Sequence, residues 1–234
     1  MSKLHFLDGF ESANPDVFHR IIFNFFRPVM SGQRCLNVGC WTGGFEKIIS
    51  EQAHIDLTSI DYCLDALKTA KKSLPRHSFI CADANKLPFK KKTFGVASLF
   101  FVIEHFPRNK ELDILKQINS SLTPEGKLLV VTHRHSLFTN ITDIAYWLKG
   151  HRHYKPAELT KTLKAAGFDV EKIVFKGRGL AIVSMILLYF FKYILRKNIY
   201  RDYPGIMRAL EREYEQDGYR DIFLVAKKTG EVEL

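Results

Sequence analysis

The sequence predicts an α/β fold, a mostly parallel sheet with helices on both faces, and three observations predict it. Short apolar runs end at Val38, Ile60 and Cys81, and helical spacings near 43–53 and 63–73 fill the intervals between them. Such alternation implies right-handed crossovers between parallel strands. The first run breaks into Gly39, Gly43 and Gly44 before Phe45, Ile48 and Ile49 begin a helix, and a glycine turn between strand and helix is where these sheets bring bare backbone to a ligand. Acids then stand just past the second and third runs, at Asp61 and Asp83.

Along the chain, Val17 to Val29 sets Phe18, Ile21, Ile22, Phe25, Phe26 and Val29 on one helical face, with Pro28 and Gly32 breaking the helix. Strands are predicted near 34–39, 56–61, 78–82, 94–101 and 126–132, and a further helix near 108–121. Another helix starts at Pro156-Ala157-Glu158. Strands at 169–176 and 219–227 complete the sheet. One domain spans residues 1–234, with residues 1–30 as a helical lead and with 133–156 and 177–217 exceeding the minimal fold. Both segments adjoin strand ends near the expected site, so both are read as shaping an acceptor pocket.

The spacing of the glycines excludes the commonest nucleotide loops. A dinucleotide fingerprint needs glycine at its first, third and sixth positions; counted from Gly39, the third is Trp41 and the sixth Gly44. The GK[ST] ending of a nucleoside triphosphate loop is absent from this turn. Asp61 lies about 20 residues past the loop, the offset at which an acid accepts from ribose hydroxyls. Asp83 stands where an acid accepts from an exocyclic amine such as that of adenine, and equally where it caps a short turn.

Residues 36–44 (LNVGCWTGG), 59–72 (SIDYCLDALKTAKK), 80–106 (ICADANKLPFKKKTFGVASLFFVIEHF), 122–132 (LTPEGKLLVVT) and 157–175 (AELTKTLKAAGFDVEKIVF) resemble class I S-adenosylmethionine-dependent methyltransferases, in the branch acting on small molecules, lipids and sugars. The resemblance implies a Rossmann-like, seven-stranded sheet whose last strand is antiparallel. It implies S-adenosyl-L-methionine as cofactor, held at Asn37, Gly39, Cys40, Thr42, Gly43, Asp61, Tyr62, Asp83, Ala84 and Phe100. Asn37 stands where the family usually carries an acid, Trp41 where it often has glycine, and Gly95 where it often has Asp.

Methyl transfer is an in-line displacement, so positioning and exclusion of water are the main demands, with a base useful for a hydroxyl acceptor. His105 and His153 are the candidate catalytic residues, and Glu104, His135, Arg152 and Tyr154 the candidate substrate contacts. Arg134 and Arg152 are available for a phosphate or carboxylate. His133, His135, His151 and His153 have a spacing that raises metal binding, but no carboxylate is patterned with them apart from Asp143, and no metal is assigned.

A net charge of +10 and a pI near 9.4 point to an anionic neighbour without choosing among nucleic acid, lipid and substrate. The four cysteines, at 35, 40, 63 and 81, lack metal-like pairing and are read as reduced. The first sixteen residues hold no apolar core long enough for a secretory signal. Residues 179–197 are apolar from Leu180 to Phe191, short of the ~20 residues that span a bilayer. Ser184, Lys192 and Arg196 form a thin polar stripe on this segment. It is read either as a core or homodimer helix or, through 180–195, as a peripheral contact with an anionic membrane.

The favoured reading is a cytoplasmic enzyme, peripheral at the inner face of the membrane, with a small-molecule, lipid-linked or sugar acceptor. An RNA or tRNA methyltransferase is the runner-up, prompted by charge but without an NPPY-like motif after the fourth strand. A non-catalytic methyltransferase-like binding protein is the third, prompted by Asn37 and Trp41.

Overall fold

Strand β1 (Arg34–Val38) lies in the interior of a seven-stranded sheet and is buried along all but its first residue. The computed structural model describes residues 15–52, 55–143, 146, 151–190 and 204–230. With β2 (Asp56–Asp61), β3 (Ser78–Cys81), β4 (Phe94–Phe100), β5 (Leu122–His133), β6 (Phe168–Lys176) and β7 (Asp221–Lys228), the strand order is β3-β2-β1-β4-β5-β7-β6. β3 to β5 run parallel, and β7 inserts antiparallel between β5 and β6. Strand order reverses at β1/β4, so the carboxyl ends of β1, β2 and β4 open onto one crevice.

Alternation along β5 shows how the sheet is buried on both sides. Leu128 and Val130 join a core with Ile114, Leu115 and Ile118 of α4 (Glu111–Ser121) and Leu159 and Leu163 of α6 (Pro156–Ala165). Leu129 and Val131 face the opposite core, built from α1 (Val17–Met30), α2 (Gly44–Gln52) and residues of α7 (Gly179–Tyr189) and α8 (Pro204–Glu215). α3 (Leu64–Ser73) packs against β2 and β3 through Ala66, Leu67 and Ala70. Each large apolar side chain fully withdrawn from water contributes about 1.5–3 kcal/mol, so both faces hold the sheet.

The leading helix departs from expectation in two respects. It does not break at Pro28 but runs to Met30. The carbonyl deprived of its partner by the proline is that of Asn24, an exposed residue whose side of the helix water reaches. Phe23 is fully buried in the core although it lies off the predicted apolar face, and Arg27 lies over its ring at 5.9 Å. Asp16 and His19 form a reciprocal cap at the helix start.

Other boundaries move by a few residues, and β5 begins earlier, at Leu122, which pairs with Phe94 across a register shift. The second insertion carries α7 and α8. Ser184 was read as part of a polar stripe; it is buried instead, with Ala181 and Ile182, while Val183, Ile186 and Leu187 point outward. Small residues let α7 seat closely on its support, and the outer face is therefore apolar. Glu213 of α8 caps this helix, accepting from the backbone N–H groups of Arg178, Leu180 and Ala181 at 2.7–2.9 Å. Residues 1–14, 53–54, 144–145, 147–150, 191–203 and 231–234 lie outside the described residues. Those spans take in part of the helical lead, part of 133–156, and Lys192, Ile194, Leu195 and Arg196 of the proposed membrane segment.

Candidate active site

The glycine turn is held from two sides. Gly39 and Cys40 donate their N–H groups to the carbonyl of Ile60, at 2.8 and 3.1 Å, which ties the turn to the end of β2. Gly39 has φ +82°, and a Cβ there would meet Val102 Cγ2 at 2.4 Å, so both conformation and space demand glycine. Trp41 adopts φ +48° without being glycine. That left-handed backbone costs roughly 1–2 kcal/mol, and Asp61 Oδ2 secures it by accepting the Trp41 N–H at 2.8 Å. Asp61 Oδ1 accepts the N–H of Cys63 at 2.9 Å, and the whole side chain is buried at the tip of β2. Thr42 is half-buried, Gly43 buried with φ +82°, and Tyr62 exposed beside the crevice.

Beneath the turn lies a polar cluster. Asn37 donates to Glu46 Oε1 at 2.7 Å and accepts from Ser98 Oγ at 2.8 Å. Ser59 also donates to Glu46 Oε1, at 2.7 Å, and its hydroxyl lies 3.0 Å from His77 Nε2. A carboxyl group is thus brought beneath the strand from α2 by Glu46, a residue absent from the sequence-based candidates. Burial pushes its carboxyl up, against the lowering by Asn37 and Ser59. Glu46 Oε2 is buried with no hydrogen-bond partner among the described residues. His19 of α1 lies close to Gly44, where a Cβ would meet its ring at 2.8 Å, so the leading helix packs directly over the turn.

Asp83 is exposed, and its Oδ1 accepts both the backbone and side-chain N–H groups of Asn85, at 2.8 and 2.7 Å. These bonds hold its carboxyl below the usual carboxylate range. Ala84 is half-buried and packs against the core. The ring of Phe100 stacks on Phe26 at 5.4 Å and meets Phe45 edge-on at 4.9 Å, fixing the end of β4 against α1 and α2.

On the acceptor side the predicted residues separate into different roles. Glu104, expected to face the entrance, is buried and accepts from Thr132 Oγ1 at 2.9 Å, because the 3-10 turn at Ile103–His105 folds it under β5. His105 is exposed and meets the His151 ring edge-on at 4.6 Å. His135 is exposed. Arg152 pairs with Glu111 and donates to the carbonyls of Ile103 and Phe106, at 3.0 and 2.8 Å. The buried Tyr154 hydroxyl lies 3.0 Å from both Ile103 O and Glu111 Oε2. His153 has Nε2 at 2.8 Å from Asp143 Oδ2 and Nδ1 at 2.7 Å from Asn140 Oδ1, so both ring nitrogens are engaged. Burial, outweighing Asp143, leaves its pKa lowered. Among the described residues no three His, Cys, Asp or Glu side chains are grouped to hold a metal ion. Arg134 lies over the Phe175 ring at 4.3 Å.

Residues 11–173 match a family model described as a methyltransferase domain. The chain belongs to the methyltransferase domain family. Among its relatives, a demethylmenaquinone methyltransferase of Renibacterium salmoninarum is 31% identical over 46% of this chain and 44% of its own length. A probable S-adenosylmethionine-dependent methyltransferase of Mycolicibacterium smegmatis is 27% identical over 70% of this chain and 63% of its own. The chain thus spans about half to two thirds of these relatives. Two solved structures share the fold: the [4+2]-cyclase SpnF (TM-score 0.64, 21% identity, 90% of this chain and 80% of that one), and Haemonchus contortus phosphoethanolamine N-methyltransferase 2 with phosphomonomethylethanolamine and S-adenosylhomocysteine (TM-score 0.65, 18% identity, 91% and 52%). A cyclase among the structural neighbours shows that the fold alone does not fix the chemistry.

The residues present fit a cofactor rich in hydrogen-bond donors. The buried Asp61 carboxylate is an acceptor at the tip of β2, and Glu46 Oε2, beneath the turn, has no hydrogen-bond partner among the described residues. Ribose hydroxyls and an ammonium group are the donors such acceptors suit.

Proposed function

We propose that the chain is an S-adenosyl-L-methionine-dependent methyltransferase of the small-molecule type. The observation that carries the reading is the buried carboxylate of Asp61, which clamps the glycine turn at the tip of β2 in the family's ribose-binding position. In this reading Asn37, Gly39, Cys40, Thr42 and Gly43 surround the methionine end, Asp61 and Tyr62 the ribose, and Asp83 and Ala84 the adenine. Bound there, the cofactor supplies an electrophilic methyl group; the chain's own residues hold it, orient the acceptor and exclude water. The relatives' names favour a small acceptor, a quinone or a phosphoethanolamine, over RNA. Calorimetry with S-adenosylmethionine, followed by labelled-methyl transfer to lysate split into lipid, polysaccharide, RNA and protein fractions, tests the reading. Label in the RNA fraction alone, or no cofactor binding at millimolar concentration, contradicts it.

A lipid-linked acceptor at an anionic membrane is favoured by one further observation. Leu137 and Ile141 of α5 (Leu137–Thr142) and Val183, Ile186 and Leu187 of α7 are exposed apolar side chains on two helices that pack together beside the acceptor region. In this reading the apolar face lies on the membrane surface, at its inner face; no helix among the described residues is long and apolar enough to cross a membrane. Replacing Val183, Ile186 and Leu187 by Gln is expected to cut cosedimentation with phosphatidylglycerol vesicles at least tenfold. Unchanged sedimentation, or a wild-type homodimer that these changes dissociate, contradicts the membrane reading.

A further inference from the structure

The last residue of β5, His133, stands opposite Asp221, the first residue of β7, across the antiparallel ladder. Its Nδ1 lies 2.7 Å from Asp221 Oδ1. The other oxygen of Asp221 accepts from the Tyr214 hydroxyl and from Arg220 Nη1, the latter at 2.6 Å, so this fully buried carboxylate is fixed in orientation. Nothing among the described residues bonds His133 Nε2, and the side chain is 14% exposed. The ring lies 4.9 Å from that of Phe101, the residue following Phe100 at the carboxyl end of β4. His153, its ring 5.4 Å away, has both nitrogens committed to Asn140 and Asp143, so neither is turned toward an acceptor.

We infer that His133, oriented by Asp221, is the general base of the reaction and that the acceptor is one that must lose a proton, a phenolic or quinol hydroxyl. The inference rests on the methyltransferase reading. In the step, the acceptor oxygen forms the new bond to the methyl carbon, the sulfonium sulfur keeps the electron pair of the bond that breaks, and the hydroxyl proton passes to His133 Nε2. Asp221 is a positioning residue: it fixes the tautomer with the proton on Nδ1 and stabilises the imidazolium that forms. The charged and titratable groups facing His133 are Asp221 of β7, Arg220 just before it, Tyr214 of α8, Glu104 of the 3-10 turn, and His153 with its partner Asp143. Asp221 outweighs burial and Arg220, so the net effect raises the basicity of His133.

The test uses the intact chain with S-adenosylmethionine and two probe acceptors, naphthalene-1,4-diol and phosphoethanolamine. The wild type is expected to methylate the diol, with His133→Gln slower by ~100-fold or more while cofactor affinity stays within about twofold. Asp221→Asn is expected to shift the ascending limb of the pH–rate profile to lower pH. Equal diol rates in wild type and His133→Gln, or transfer to phosphoethanolamine alone, overturn the inference and leave the methyltransferase reading standing. Failure of the wild type to bind cofactor overturns the methyltransferase reading itself. If cofactor binds and neither probe is methylated, carbethoxylation decides: modification of His133 in the native chain supports an open Nε2, and a His133 that stays unmodified while exposed His135 reacts overturns it.

Discussion

Asp61 Oδ2 accepts the backbone N–H of Trp41 at 2.8 Å, joining the tip of β2 to a turn residue 20 positions earlier. The bond does two things at once. It holds a non-glycine residue in a left-handed conformation and leaves the carboxylate buried at the rim of the crevice. Asp61→Ala removes a charged acceptor from the N–H groups of both Trp41 and Cys63. A loss of about 3 kcal/mol is expected in urea unfolding, and Asp61→Asn, which keeps one acceptor oxygen, is expected to lose less. Equal losses in the two variants would contradict this role.

Glu46 makes a pH-dependent prediction. Burial raises its carboxyl pKa above the ordinary value of 4.5. A group raised on folding contributes stability below its unfolded pKa and loses it as pH rises through the folded value. The melting temperature of Glu46→Gln relative to wild type is therefore expected to climb between pH 4 and pH 8. A difference that stays constant across that range would contradict the assignment.

His77 acts in the opposite direction. Burial, helped by Lys71, pushes its pKa down from 6.5 to about 4. In that window the unfolded chain binds a proton that the folded chain does not, so stability falls as the pH is lowered from 6.5 toward 4. His77→Gln should flatten this part of the stability profile in denaturant titrations at successive pH values.

Arg152 pins the segment carrying His153 and Tyr154 to the 3-10 turn after β4. Its guanidinium serves Glu111 and two backbone carbonyls at once. Arg152→Ala leaves buried Glu111 with the Tyr154 hydroxyl but without the Arg152 charge, and a loss of about 3 kcal/mol is expected. Arg152→Lys should recover little, since an ammonium cannot reproduce the planar fork. Urea unfolding of the two variants checks both statements, and full rescue by lysine would argue against this geometry.

The fold was legible because its signals are local. The apolar runs ending at Val38 and Ile60 are bounded by a glycine turn and an acid, and the intervening helices carry their own periodicity. The place of Asp61 at the tip of β2 was legible for the same reason, since it terminates its strand. What sequence could not supply was pairing at long range. His133 stood among four histidines with nothing to mark it, because its partner Asp221 comes 88 residues later, through the register of β5 with β7. Glu46 was likewise indistinguishable from a solvated helix acid until Asn37 and Ser59 were seen to donate to it. Burial of Ser184 went unread because an apolar helix gives no periodic signal for which side faces the protein.

The account's central claim is that the crevice edge formed by the glycine turn and Asp61 binds S-adenosylmethionine. Isothermal titration of the wild type, Asp61→Ala and Asp61→Asn with that cofactor tests it most directly, with circular dichroism confirming that each variant is folded. Saturable one-to-one binding by the wild type, weakened at least 100-fold in Asp61→Ala, is the predicted result. Equal affinity in wild type and a folded Asp61→Ala would contradict it.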